Sequence, residues 1–161
     1  MKEYRFVDHW RIKAPIDEVY AHVSDPRTYA RWWPSYDGVR VLKDVPFPHI
    51  GGQVELIVRS PFGYHLRLEV ETAEADPPHY LKTVSRGQLA GTGIWEFTQE
   101  GDTTTATWTW IVRSDHPMLN RVEWIAKPIF ALSHVLASRK GHRGLKRLLE
   151  GEPATEWLPI P

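Results

Sequence analysis

Apolar and polar residues alternate over residues 4–12, with Tyr4, Phe6, Trp10 and Ile12 on one side and Arg5, His9 and Arg11 on the other. A period of two marks a half-buried strand. Asp8 interrupts the apolar side and Val7 the polar one. The period then lengthens. Pro15 suits the first turn of a helix, where a missing N–H costs nothing, and Ile16, Val19, Tyr20 and Val23 follow at helical spacing. Asp17 and Glu18 sit where the helix dipole favours negative charge. Asp25 caps a second short helix with Pro26 at its first position, and Pro34 ends it.

From residue 39 to 115 the pattern returns to strands. The first runs over 39–45. Val54, Leu56 and Val58 alternate with polar neighbours, with Ile57 out of pattern; Leu66, Leu68 and Val70 alternate with Arg67, Glu69 and Glu71. Residues 80–86 form a weaker strand, Trp95 and Phe97 alternate with Glu96 and Thr98, and Ala106, Trp108, Trp110 and Val112 alternate with threonines. Short connections, such as Gly101-Asp102, imply an antiparallel meander with one solvated face. Residues 116–149 read as helix. Pro117 opens it, Pro128 kinks it, and Gly141 and Gly144 weaken it. Leu119, Val122, Ile125, Ile129, Leu132, Val135 and Leu136 form its expected buried stripe.

The order is strand, two short helices, six strands and one long helix. A curved sheet with one apolar face needs a cover, and only the last helix is long enough to supply it. The expected class is α+β: a curved seven-stranded antiparallel sheet wrapped around a long C-terminal helix, with two short helices between strands 1 and 2. Residues 1–150 form one domain and 151–161 a proline-rich tail.

Composition narrows the functional classes. Lys plus Arg and Asp plus Glu both total 20, so the net charge is zero. That argues against a nucleic-acid binder. No apolar run approaches the roughly 18 residues of a membrane span, and the N-terminus lacks a signal peptide's apolar segment. The expected location is therefore the cytoplasm. Without cysteine there are no disulfides and no thiol nucleophile. His49, His65 and His79 lie on separate segments without ligand spacing, so no metal is expected, and no cofactor. Eight tryptophans in 161 residues call for a bulky core or a roomy apolar cavity.

Three segments carry a family resemblance: Trp10-x-Ile12-x-Ala14-Pro15-x-x-x-Val19-Tyr20 with Asp25-Pro26-x-x-Tyr29-x-x-Trp32-Trp33-Pro34; Gly91-x-Gly93-x-Trp95 with Thr105-x-Thr107-Trp108-x-Trp110; and Ser133-His134 with Gly141-x-x-Gly144-Leu145. The chain resembles the START / Bet v 1-like superfamily (SRPBCC, polyketide cyclase-like) over nearly its whole length. Many bacterial relatives are similar in the last segment but carry Asn where Ser133 stands. The resemblance implies the helix-grip fold, with a space between sheet and helix. It does not fix activity, because that superfamily spans lipid carriers, receptors, co-chaperones and cyclases.

The expected ligand-contacting residues are Trp95, Phe97, Trp108, Trp110, Leu66, Leu68, Phe62, Trp33, Ile129 and His134. The tryptophans on the strands serve either as a ligand wall or as packing for the helix. Of Trp32 and Trp33, one locks the short helices onto the sheet and the other is partly exposed. Phe62 either gates the entrance or caps an ordinary hairpin. His134, beside the apolar stripe, is the candidate catalytic group for proton exchange with a bound carbonyl or phenol; the alternative is a buried structural histidine. Its possible partners are Arg86 and Tyr80, if their strand turns them inward. His65, Arg67 and Glu69 belong on the solvated face. The basic stretch from Arg139 to Arg147 either meets anionic lipid headgroups or an acidic ligand or, the stronger reading, is a solvated run suited to a helix C-terminus.

Three functions follow. The first is binding of a small hydrophobic molecule: a lipid, a polyketide-like aromatic or an isoprenoid. The second is a cofactor-free cyclase or dehydratase using His134. The third is a protein-interaction module with a vestigial cavity. Oligomeric state is open.

Overall fold

The computed structural model describes residues 2–60, 63, 65–87, 90–114 and 123–151. Phe62, Pro117, and tail residues 152–161 lie outside these, as do the side chains of Leu119, Val122 and Ile125.

Strand β1 (Lys2–Ile12) leads into α1 (Ile16–Val23), a single 3-10 turn (Pro26–Thr28) and α2 (Tyr29–Trp32). Asp25 caps the turn by accepting from the Arg27 backbone N–H. Strands β2 (Tyr36–Lys43), β3 (Gln53–Arg59), β4 (His65–Asp76), β5 (Tyr80–Gly87), β6 (Ala90–Glu100) and β7 (Thr103–Ser114) follow, then α3 (Glu123–Glu150). All neighbours in the sheet are antiparallel, in the order β1-β7-β6-β5-β4-β3-β2. The seven-stranded helix-grip architecture is the one expected. β2 starts and ends earlier than its apolar run suggests. Its ladder ends at Lys43, and Pro46 and Pro48, which follow, have no N–H to donate.

Register places the inward side chains in rungs. Trp10 faces Ala106, and Ala106 faces Phe97. One rung along, Asp8 faces Trp108, and Trp108 faces Trp95. The next rung brings together Phe6, Trp110 and Gly93. The Trp10 rung is the closed end: Trp10, Ile12, Val19, Tyr20, Phe97 and Leu145 are fully buried there. Burial pushes the Tyr20 phenol up to about 12, with Asp76 adding to the effect, and its hydroxyl donates to the Tyr80 carbonyl.

The long helix differs from expectation in the face it buries. Ile129, Leu132 and Val135 are exposed, Leu132 by 50 %. The inward face instead carries His134, Ser138, Gly141, Gly144 and Leu145, all buried. The reason is volume: Trp10 of β1 and the Trp32–Trp33 end of α2 press against the helix, so it must be small where it meets them. A Cβ on Gly141 would lie 2.5 Å from Trp33, and one on Gly144 would lie 1.6 Å from the Trp32 carbonyl oxygen. These glycines are docking points within a continuous helix. Among the described residues no helix is long and apolar enough to cross a membrane.

Candidate ligand-binding cavity

Beyond the Trp10 rung a cavity of about 150 Å3 lies between the sheet and α3. Trp95, Trp108 and Trp110 line it from β6 and β7, Leu66 and Leu68 from β4, Trp33 from the end of α2, and Ile129 and His134 from α3. Leu56, Val58 and Val70 extend the apolar wall. Trp95 and Trp108 stack with centroids 5.1 Å apart and planes 2° apart. Ile129 and the lining residue Arg59, both exposed, mark where the cavity reaches solvent.

Phe97 does not line this space. It sits one rung away, fully buried, 5.2 Å from the Tyr20 ring. Alternation identified its face correctly, but a face is longer than a cavity. Trp32 and Trp33 are both buried, so neither is the exposed member of the pair. Trp33 spans both expected roles: it lines the cavity, and its Nε1–H donates to the Ala137 carbonyl on α3 at 2.9 Å. Trp32 donates to Thr28 Oγ1.

Two sets of polar groups in the wall matter for its chemistry. In the first, hydroxyls are directed at backbone carbonyls: Tyr29 at Val23, Thr83 at Gly93 and Ser85 at Gly91. Burial pushes the Tyr29 and Tyr36 phenols up, so both remain neutral near pH 7. The second set is on α3. The Ser133 hydroxyl is buried and has no partner among the described residues. His134 Nε2 pairs with Asp8 Oδ2 from β1. Its ring is packed against Phe6 (4.4 Å, 18°), Trp110 (5.3 Å, 17°) and Trp108 (5.1 Å).

Asp8 is therefore the partner of His134, in place of Arg86 or Tyr80. β5 turns Thr83 and Ser85 to the cavity. Tyr80 and Arg86 lie on the other side, where Tyr80 donates to Glu74 and Arg86 lies 3.9 Å from Glu71. Sequence reasoning missed Asp8 as a site residue, although the signal was present: one acid in an otherwise apolar row. At the rim, Asp37 binds Arg59 at 2.6 Å and His65 at 2.6 Å.

Residues 5–150 match the family described as polyketide cyclase / dehydrase and lipid transport. No curated protein matches the chain. Among solved structures it is similar to the di-domain ARO/CYC protein BexL of the BE-7585A biosynthetic pathway, with 22 % identity and a TM-score of 0.73. That alignment covers 94 % of this chain and 51 % of BexL, so the chain spans about half of that protein's length. A START superfamily protein from Mycobacterium smegmatis aligns at 15 % identity and TM-score 0.65, over 91 % of this chain and 97 % of the other. The major latex-like protein 151 of Panax ginseng aligns at 12 % identity and TM-score 0.69, again over 91 % and 97 %. At these identities the structures speak for the fold alone, whereas the family match runs through both the tryptophan wall and the Asp8–His134 pair: the chain belongs to the polyketide cyclase / dehydrase and lipid transport family.

Proposed function

We propose that the protein binds a small hydrophobic molecule in this cavity, of lipid, polyketide-like aromatic or isoprenoid type. The observation that carries the reading is an open space of about 150 Å3 walled by Trp33, Trp95, Trp108 and Trp110. An apolar cavity of about this size takes up benzene, and indole faces favour flat ring partners. An open cavity of this kind also counts against the interaction-module reading, which needs the space filled by the protein's own side chains. Tryptophan fluorescence and thermal shift against a panel of lipids, aromatics and isoprenoids test the proposal. A saturable response is expected; no response across the panel overturns it.

The Asp8–His134 pair favours a second reading, a cyclase or dehydratase in which His134 is the catalytic residue. An imidazole held by a carboxylate is equipped to exchange a proton with a bound substrate. Turnover of a polyketide-like substrate, lost in His134→Gln, tests it. Equal turnover in both proteins overturns it.

A further inference from the structure

We propose that Asp8 makes His134 a hydrogen-bond acceptor, so that the cavity selects molecules presenting a hydroxyl proton. The inference rests on the binding reading above and adds the chemistry of the site.

Asp8 occupies an inward position of β1, directly opposite Trp108. Every other residue from Tyr4 to Ile12 on that face is apolar or aromatic, so a hydrophobic side chain fits the pattern and an acid does not. Burying part of a carboxylate there is costly unless it is paired, and its partner is His134 Nε2, from a residue 126 positions away. An ionised carboxylate only accepts hydrogen bonds, so Nε2 carries the proton. In the neutral ring the lone pair then lies on Nδ1, which has no partner among the described residues. Phe6 and Trp110 stack on the ring and hold its plane; Asp8 holds its rotation. Asp8 is thus a positioning residue acting through His134.

The other walls sharpen the selection. Tyr29 donates to the Val23 carbonyl, and Thr83 and Ser85 are directed at the Gly93 and Gly91 carbonyls at 3.5 and 3.4 Å. The Nδ1 lone pair suits a phenol or enol O–H; a ketone or an ether gains nothing from it and has only the Ser133 hydroxyl to meet. If the proton transfers, the ligand O–H bond breaks and an Nδ1–H bond forms. The ligand keeps the electron pair as an oxyanion, and the resulting imidazolium rests against the Asp8 carboxylate.

Calorimetric titration with 2-naphthol, 2-methoxynaphthalene and naphthalene separates these terms, because the three share a ring system and differ in the proton. We expect 2-naphthol to bind about tenfold more tightly than the other two. The ratio should fall to near one in His134→Phe and by about twofold in Asp8→Asn, where only part of the imidazole keeps the Nε2–H tautomer. Nitrogen-15 NMR of the wild-type imidazole should show the Nε2–H tautomer, with mixed tautomers in Asp8→Asn. Equal binding of all three probes to the wild type overturns the proposal, as does an Nδ1–H tautomer. If none of the probes binds, the wild-type tautomer alone decides the role of Asp8, and the wider lipid and isoprenoid panel decides the cavity reading.

Discussion

Trp95 and Trp108 occupy the same rung of neighbouring strands, and their indole planes differ by only 2°. Rings stacked in register turn faces to each other, so the pair lines the cavity as one rigid block. Phe97, next but one to Trp95, is on the same face but is covered by Tyr20 of α1. The two positions therefore separate packing from binding.

Trp108→Leu should cost about 1–3 kcal/mol of stability and weaken an aromatic probe about tenfold or more. Phe97→Leu should cost a similar amount, about 1–1.5 kcal/mol, and leave affinity unchanged. Urea denaturation and fluorescence titration of the two variants check this. Equal loss of affinity in both would place the ligand elsewhere.

Which of these distinctions were legible from residue order alone follows from the range of the interactions. Period-two alternation is local, so the strands and the inward set Leu66, Leu68, Trp95, Trp108 and Trp110 could be read directly. The Asp25-Pro26 break and the Gly101-Asp102 turn are local too. Depth along a face is not local: whether Phe97 meets a ligand or a helix depends on where α1 crosses the sheet. The face of α3 was harder still. An apolar stripe normally marks burial, yet Leu132 is exposed while Ser138 and Gly141 are buried, because the tryptophans opposite leave no room for larger residues. Asp8 stood out in its row, but the histidine that answers it comes from the far end of the chain.

That close docking gives a prediction that runs against helix propensity. In an isolated helix, replacing glycine by alanine gains about 1 kcal/mol. At Gly144 the new methyl would lie 1.6 Å from the Trp32 carbonyl oxygen and 2.8 Å from its carbon, and backbone cannot rotate aside as a side chain can. Gly144→Ala should therefore destabilise by about 3 kcal/mol or more, as overpacking does at its upper end. A chemical melt decides the sign; a stabilised variant would show that α3 sits farther from α2 than described.

The rim cluster predicts a pH dependence. Hydrogen bonds from Arg59, then from His65, hold the Asp37 carboxyl below the usual carboxylate range. A depressed folded-state value means that the unfolded chain takes up the proton first. The stabilising contribution is thus complete above the unfolded value, near 4, and is lost as pH falls through the lower folded-state value. Asp37→Asn should be less stable than wild type at about pH 5. The gap should close as both proteins are acidified. Denaturation curves at a series of acidic pH values check this, and a gap that persists after Asp37 is protonated would assign the difference to packing.

Ser133 sets stability against function at one atom. Its hydroxyl is buried against the cavity with no partner among the described residues, and an unsatisfied buried polar group costs about 1–3 kcal/mol. Removing it should relieve that cost, so Ser133→Ala should unfold about 1 kcal/mol later in the absence of ligand. A ligand with a polar group within reach would satisfy the same hydroxyl, so the variant should also bind such a ligand several-fold more weakly. Binding of a purely apolar probe should not change. The two effects have opposite signs, which separates them from general damage to the fold. If stability does not rise, a water already satisfies the hydroxyl. If stability rises while affinity holds for polar and apolar probes alike, Ser133 faces the cavity without touching what fills it.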